Sequence, residues 1–158
     1  MKRQFGFVLI IPLIFTFCSS GRTVAVEEEL AEVQQPVEDG FQLSAALFDS
    51  YVDVQEALAV DSYEDAHNAL EQLTYDSSGE LQILVQTAMV AEDIEGIRST
   101  FALISDRVAK STLPEGYSLA FCPMANNFQG ANWVQKGELI ANPYFGVAMS
   151  TCGEIIKQ

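Results

Sequence analysis

Between residues 47 and 108, apolar side chains recur with the period of an α-helix in four successive stretches, and that pattern decides most of what the chain can become. In the first stretch Leu47, Tyr51, Val54 and Leu58 step by four, three and four, with Asp49, Asp53 and Glu56 on the other faces. Asp61 reads as the N-cap of the second helix, with Glu64 three residues on completing a capping box. Ala66, Ala69, Leu70 and Leu73 form the buried stripe of that helix, and Ser77, Ser78 and Gly79 punctuate its end. The third helix carries Leu81, Leu84, Val85, Ala88 and Met89. The fourth, from about Asp93 to Leu113, carries Ile94, Ile97, Phe101, Ile104 and Val108, and Pro114 with Gly116 stops it. Strand-like alternation of any length is missing before residue 117. The expected fold class is therefore all-α, an antiparallel bundle of four main helices joined by short loops.

Beyond Gly116 the period is lost. Tyr117 to Phe121 reads as a short extended segment, and Cys122 to Asn142 as irregular chain rich in glycine and amides, a composition suited to turns and backbone capping. Asn142 and Pro143 read as the N-cap and first residue of a short last helix running through about Cys152. On such a helix Phe145, Met149 and Cys152 would share one face.

The amino terminus predicts export. Lys2 and Arg3 precede an apolar run from Phe5 to Phe17, interrupted only by Gly6, Pro12 and Thr16. Thirteen residues fall short of the roughly 20 that a spanning helix needs, so residues 1–21 read as a signal peptide. Cys18 stands where a bacterial lipoprotein signal places its lipid-bearing cysteine, although Phe17 occupies a position where that signal demands a small residue. Two routes stay open: a membrane tether through Cys18, or plain cleavage near Ser20 or Ala25. Residues 22–40, with six carboxylates, Pro36 and Gly40, read as an acidic flexible linker, and 41–158 as the helical domain. The expected location is the bacterial cell envelope, in the periplasm or membrane-anchored.

Charge removes one class of partner. All 22 acidic residues lie after Val26, whereas three of the eight basic ones (Lys2, Arg3 and Arg22) lie before it. With no basic patch to neutralise phosphates, nucleic-acid binding is not expected. Nor does a catalytic set emerge: the chain has no Ser-His-acid constellation, no glycine-rich phosphate loop and no His-Glu-x-x-His.

What remains is sulfur. Cys122 and Met124 stand at one end of the irregular segment, Met149 and Cys152 at the other. Two thiols and two thioethers form a donor set that suits copper(I), since zinc does not favour thioethers. An oxidising compartment would instead join the cysteines as a disulfide, stabilising the fold by roughly 3–4 kcal/mol. Free buried thiols are a third outcome, and methionine also fills irregular gaps in cores without any ligand role. His67, the only histidine, is a distant fifth ligand candidate. Trp133, Tyr144 and Phe145 would seal the end of the bundle or keep a metal dry.

The strings YVDVQEALAVD, IRSTFALIS, FCPMANNFQGANW and NPYFGVAMSTCGE together cover most of residues 41–158. In them the chain resembles a bacterial domain family of unknown function, whose members are exported or lipid-anchored, or fused to the end of periplasmic adaptor subunits of heavy-metal efflux pumps. The resemblance implies a helical envelope domain associated with metal handling, especially of copper, with an efflux adaptor as the kind of protein partner. Its pattern supplies Cys122, Met124, Met149 and Cys152, surrounded by Trp133, Asn142, Pro143 and Gly146. It supplies no reaction. The expected function is metal binding, of copper(I), in scavenging or as an efflux accessory. The alternative is a disulfide-fastened, non-enzymatic module that docks onto another envelope protein.

Overall fold

The computed structural model describes residues 42–156, so the expected signal peptide, the Cys18 tether and the acidic linker lie outside the described residues. Four helices form where the apolar stripes run: α1 Ala45–Ala59, α2 Tyr63–Asp76, α3 Gly79–Met89 and α4 Ile94–Val108. Each stripe faces the core, with Ala69, Leu84, Met89 and Ile94 partly buried. Tyr51, Val54 and Leu58 on α1, Leu70 and Leu73 on α2, and Ile97, Phe101, Ile104 and Val108 on α4 are fully enclosed. Burying an apolar side chain of this size is worth roughly 1.5–3 kcal/mol. Consecutive helices pack on one another, and Tyr51 stacks on Phe101 with ring centroids 5.0 Å apart, joining α1 to α4.

Two helix ends differ from expectation. The N-cap of α2 is Ser62, not Asp61: the Ser62 hydroxyl accepts from the Asp65 amide and donates to the Asp65 carboxylate at 2.6 Å. Asp61 takes a positive φ of 59° and turns its carboxylate to Arg98 instead. Helix α4 ends at Val108 rather than near Leu113, because the Ser111 hydroxyl and amide both bond the Val108 carbonyl and close the chain into a turn ahead of Pro114.

The all-α expectation is overturned by a three-stranded antiparallel sheet in the order β2-β1-β3. Strand β1 is Tyr117–Cys122, β2 is Ala131–Lys136 and β3 is Glu154–Ile156. The extended segment at Tyr117 is thus the central strand, pairing Tyr117 with Lys136 through Cys122 with Ala131 on one side, and Leu119 with Ile156 through Phe121 with Glu154 on the other. Six-residue strands are too short to give a clear alternating pattern, and amides hide it further. Gln135 is fully buried on β2, where its polarity suggested a loop. Strand β2 packs against α1 and α4, where Trp133 and Val134 enter the core and the Tyr51 hydroxyl accepts from the Val134 amide at 3.2 Å.

Between β1 and β2 the chain makes a turn over Ala125–Phe128 in which Asn126, Asn127 and Phe128 all have positive φ, 52°, 54° and 64°. Asparagine tolerates this left-handed region; phenylalanine rarely enters it. The expected last helix is reduced to a single 3-10 turn, Gly146–Met149. It is interrupted at Gly146, whose φ of 53° is not helical and where a Cβ would collide with the Asp61 carboxylate and the Arg98 guanidinium. Phe145, Met149 and Cys152 therefore do not share a helix face.

Candidate functional site

Three of the four expected sulfur ligands meet. Cys122 ends β1 and is fully buried, and Met124 follows it into the left-handed turn. Cys152 precedes β3, whose pairing with β1 carries it back across 30 residues to Cys122. The two Sγ atoms lie 3.0 Å apart, and Cys152 Sγ lies 4.0 Å from Met124 Sδ. Met149 is placed on the wall of a cavity of about 390 Å³ that Met124 also lines, with Arg98, Phe128, Tyr144 and Phe145.

Cys152 is held from both sides. Its amide donates to the Met149 carbonyl at 3.0 Å, and its carbonyl accepts from the Asn142 side-chain amide at 2.6 Å. Gly153 beside it has φ 136°, and a Cβ there would stand 2.7 Å from the Trp133 ring and 2.9 Å from the Phe121 carbonyl, so only glycine lets the chain pass so near the sheet. The hydrogen bond with Cys122, reinforced by burial, pushes the Cys152 thiol pKa above its ordinary value. The Cys152 thiol therefore holds its proton more tightly than a free one, and a metal ion there would have to displace it.

Amide side chains build the frame around this corner. Asn142, fully buried, accepts from the Tyr144 and Phe145 amides at 2.8 and 3.2 Å, the capping role its sequence suggests. Gln135 accepts from Trp133 Nε1 at 2.9 Å and donates to the Leu139 carbonyl at 2.8 Å. Gln55, reaching from α1, donates to the Ala141 carbonyl at 2.7 Å. Trp133 and Tyr144 meet edge to face at 5.9 Å and close the interior side of the corner.

Arg98 is the residue that sequence reasoning missed. Buried on α4, it donates to the Pro143 carbonyl at 2.9 Å and the Leu58 carbonyl at 2.8 Å, and pairs with Glu95 at 2.6 Å and with Asp61. The other oxygen of Asp61 accepts from the Val147 amide at 3.2 Å. Arg98 thus fixes the segment that carries Met149. The hydrogen bond from Arg98 holds the Asp61 carboxyl below its ordinary pKa. A charged residue inside the apolar stripe, between Ile97 and Phe101, was the available signal.

His67 lies outside this corner's polar network: its Nε2 stands 3.1 Å from the Met89 carbonyl, between α2 and α3. Among the described residues no three His, Cys, Asp or Glu side chains gather into a metal-binding group. An ion at Cys122 and Cys152 would thus depend on the methionines. Compared with family models, with curated proteins and with solved structures, the chain matches none.

Proposed function

We propose that this protein is a cell-envelope metal-binding domain that holds copper(I) through Cys122, Cys152 and Met124, with Met149 available from the cavity wall, and that it scavenges the metal or serves an efflux system. The observation that carries the reading is the meeting of three sulfurs, 3.0 and 4.0 Å apart in sequence of contact, from two ends of a 30-residue segment. Two thiols with a thioether form a soft set that copper(I) favours over zinc. The resemblance of the C-terminal strings to domains fused to efflux adaptors points to the same chemistry. Trp133, Tyr144 and the buried Cys122 give such an ion a dry inner side, which favours the lower oxidation state.

Titration of the reduced protein with copper(I) against a competing chelator tests this. One ion per chain is expected, with uptake lost when Cys122→Ser and Cys152→Ser are combined. Retained affinity in that double variant would sink the proposal.

A second reading is favoured by the close approach of the thiols. At 3.0 Å they need to move about 1 Å to form a bond of about 2.05 Å, so the corner is also ready to close as a disulfide. The protein would then be an interaction module fastened for docking onto another envelope protein such as an efflux adaptor. Protein purified without reductant separates the two: an alkylatable Cys122–Cys152 pair counts against the fastened module.

A further inference from the structure

The thiol pair sits between two geometries. A disulfide needs the sulfurs about 1 Å closer than 3.0 Å. Two sulfurs bound to one ion at about 2.3 Å each lie about 4 Å apart in a trigonal arrangement, so binding needs them about 1 Å farther apart. The same two atoms cannot satisfy both states. Metal and disulfide therefore exclude one another, and whatever controls the bond controls the ion.

The two thiols also differ in access. Cys122 is fully buried at the end of the central strand, whereas Cys152 is partly exposed in the bend before β3, flanked by the exposed Thr151. Backbone hydrogen bonds to Met149 and Asn142 hold Cys152 where Cys122 can reach it. A buried thiol beside a reachable one divides the roles in thiol–disulfide exchange.

We propose that Cys122 and Cys152 form an asymmetric exchange pair, with Cys152 the entry thiol and Cys122 the resolving thiol, whose closure by a disulfide-bearing oxidant expels the bound copper(I). The expulsion clause rests on the metal-binding reading; the division of roles does not. Access, not acidity, singles out Cys152: in the first step it gives up its proton or its metal, and the thiolate attacks one sulfur of the external disulfide. A mixed disulfide forms at Cys152, and the other external sulfur leaves as a thiolate. The Cys122 thiolate then attacks Cys152 Sγ, the intramolecular bond forms, and the second external thiolate departs. The protein sulfurs lose two electrons and the external disulfide gains them. In the copper-free pair the two thiol protons pass to the departing thiolates or to solvent, whereas in the loaded pair those protons have already left and the departing thiolates take the metal instead. Copper stays in the +1 state and is taken up by the thiolates just released.

The sequence makes the order of events measurable. Lys136 lies between the cysteines and Arg22 follows Cys18, so trypsin places Cys18, Cys122 and Cys152 in separate peptides. Reduced full-length protein is exposed to oxidised glutathione, quenched with acid at short times, alkylated and digested without reductant. Early glutathione adduct is expected on the Cys152 peptide, replaced later by a crosslink between the Cys122 and Cys152 peptides. Cys122→Ala should hold the Cys152 adduct, and Cys152→Ala should react more slowly, by on the order of tenfold. Because the wild-type time course reads the order directly, a variant that fails to fold does not decide the matter. An early adduct on Cys122, or a Cys152 adduct that never resolves into the crosslink, overturns the exchange.

Copper release is followed in parallel samples loaded with copper(I) and left unquenched. One ion is expected to leave for each crosslink formed. If copper(I) remains bound as the crosslink accumulates, the expulsion clause is wrong. If reduced protein takes up no copper(I) yet shows Cys152 reacting first, the metal reading falls and the exchange pair stands.

Discussion

The helical part, residues 45–108, and the part from Tyr117 to Ile156 reach order by different means. The first is held by repetition: the same few apolar residue types recur every three or four positions, and each helix buries its stripe against a neighbour. The second has short strands and one turn of 3-10 helix, and is held by individual side chains bonded to backbone, among them Gln55, Arg98, Gln135 and Asn142. A stripe tolerates exchange of one apolar residue for another, whereas a capping amide or guanidinium has no substitute of similar shape. The contrast predicts that loss of a core apolar residue unfolds the molecule, whereas loss of one of these bonding side chains loosens the sulfur corner alone.

The largest expected effect is Phe101→Ala. This ring is fully buried and stacks on Tyr51, so its loss should cost about 3–5 kcal/mol and lower the urea midpoint for the whole domain, measured by circular dichroism. Arg98→Ala should cost about 2–3 kcal/mol, since it leaves the Leu58 and Pro143 carbonyls without their donor. Hydrogen exchange should show the change concentrated in residues 142–150, with α2 and α3 protected; uniform loss of protection would erase the distinction between the regions. Asn142→Ala should cost about 1–2 kcal/mol and lower copper(I) affinity roughly tenfold by releasing the Cys152 carbonyl, read by chelator competition.

Two smaller effects concern protons. Asp61 has a folded pKa below its unfolded value, so its contribution to stability is fully present above about pH 4 and is lost as pH falls through the folded value. The Val147 and Gly146 amides should therefore exchange faster in acid than those of α1, and Asp61→Asn should flatten that dependence. Since the Cys152 thiol is raised, copper(I) loading at pH 7 should release protons, detectable by indicator dye. Unchanged pH on loading would mean that the thiols are not the ligands.

The sequence made the helices legible because burial and helical period speak in one code, and the stripes at Leu47–Leu58 and Ile94–Val108 carry it repeatedly. It made the sulfur meeting legible only as spacing. What brings Cys152 to Cys122 is the pairing of three residues of β3 with β1, too few to leave a pattern. Asp61 misled for a physical reason: it has the right chemistry for a cap, and its neighbour Ser62 has it too. Arg98, on another helix, decided between them. Asn142 caps the chain as the sequence suggests, yet the helix it would start is interrupted by the positive φ of Gly146, 53°.

The sheet order has a consequence for how the protein is made. The central strand is synthesised first and the edge strand β3 last, so Cys122 emerges 30 residues ahead of Cys152. During that interval the β1–β2 hairpin can already form and fold Cys122 inward. A hairpin that buries Cys122 before β3 is added would leave Cys152 as the sulfur open to foreign thiols.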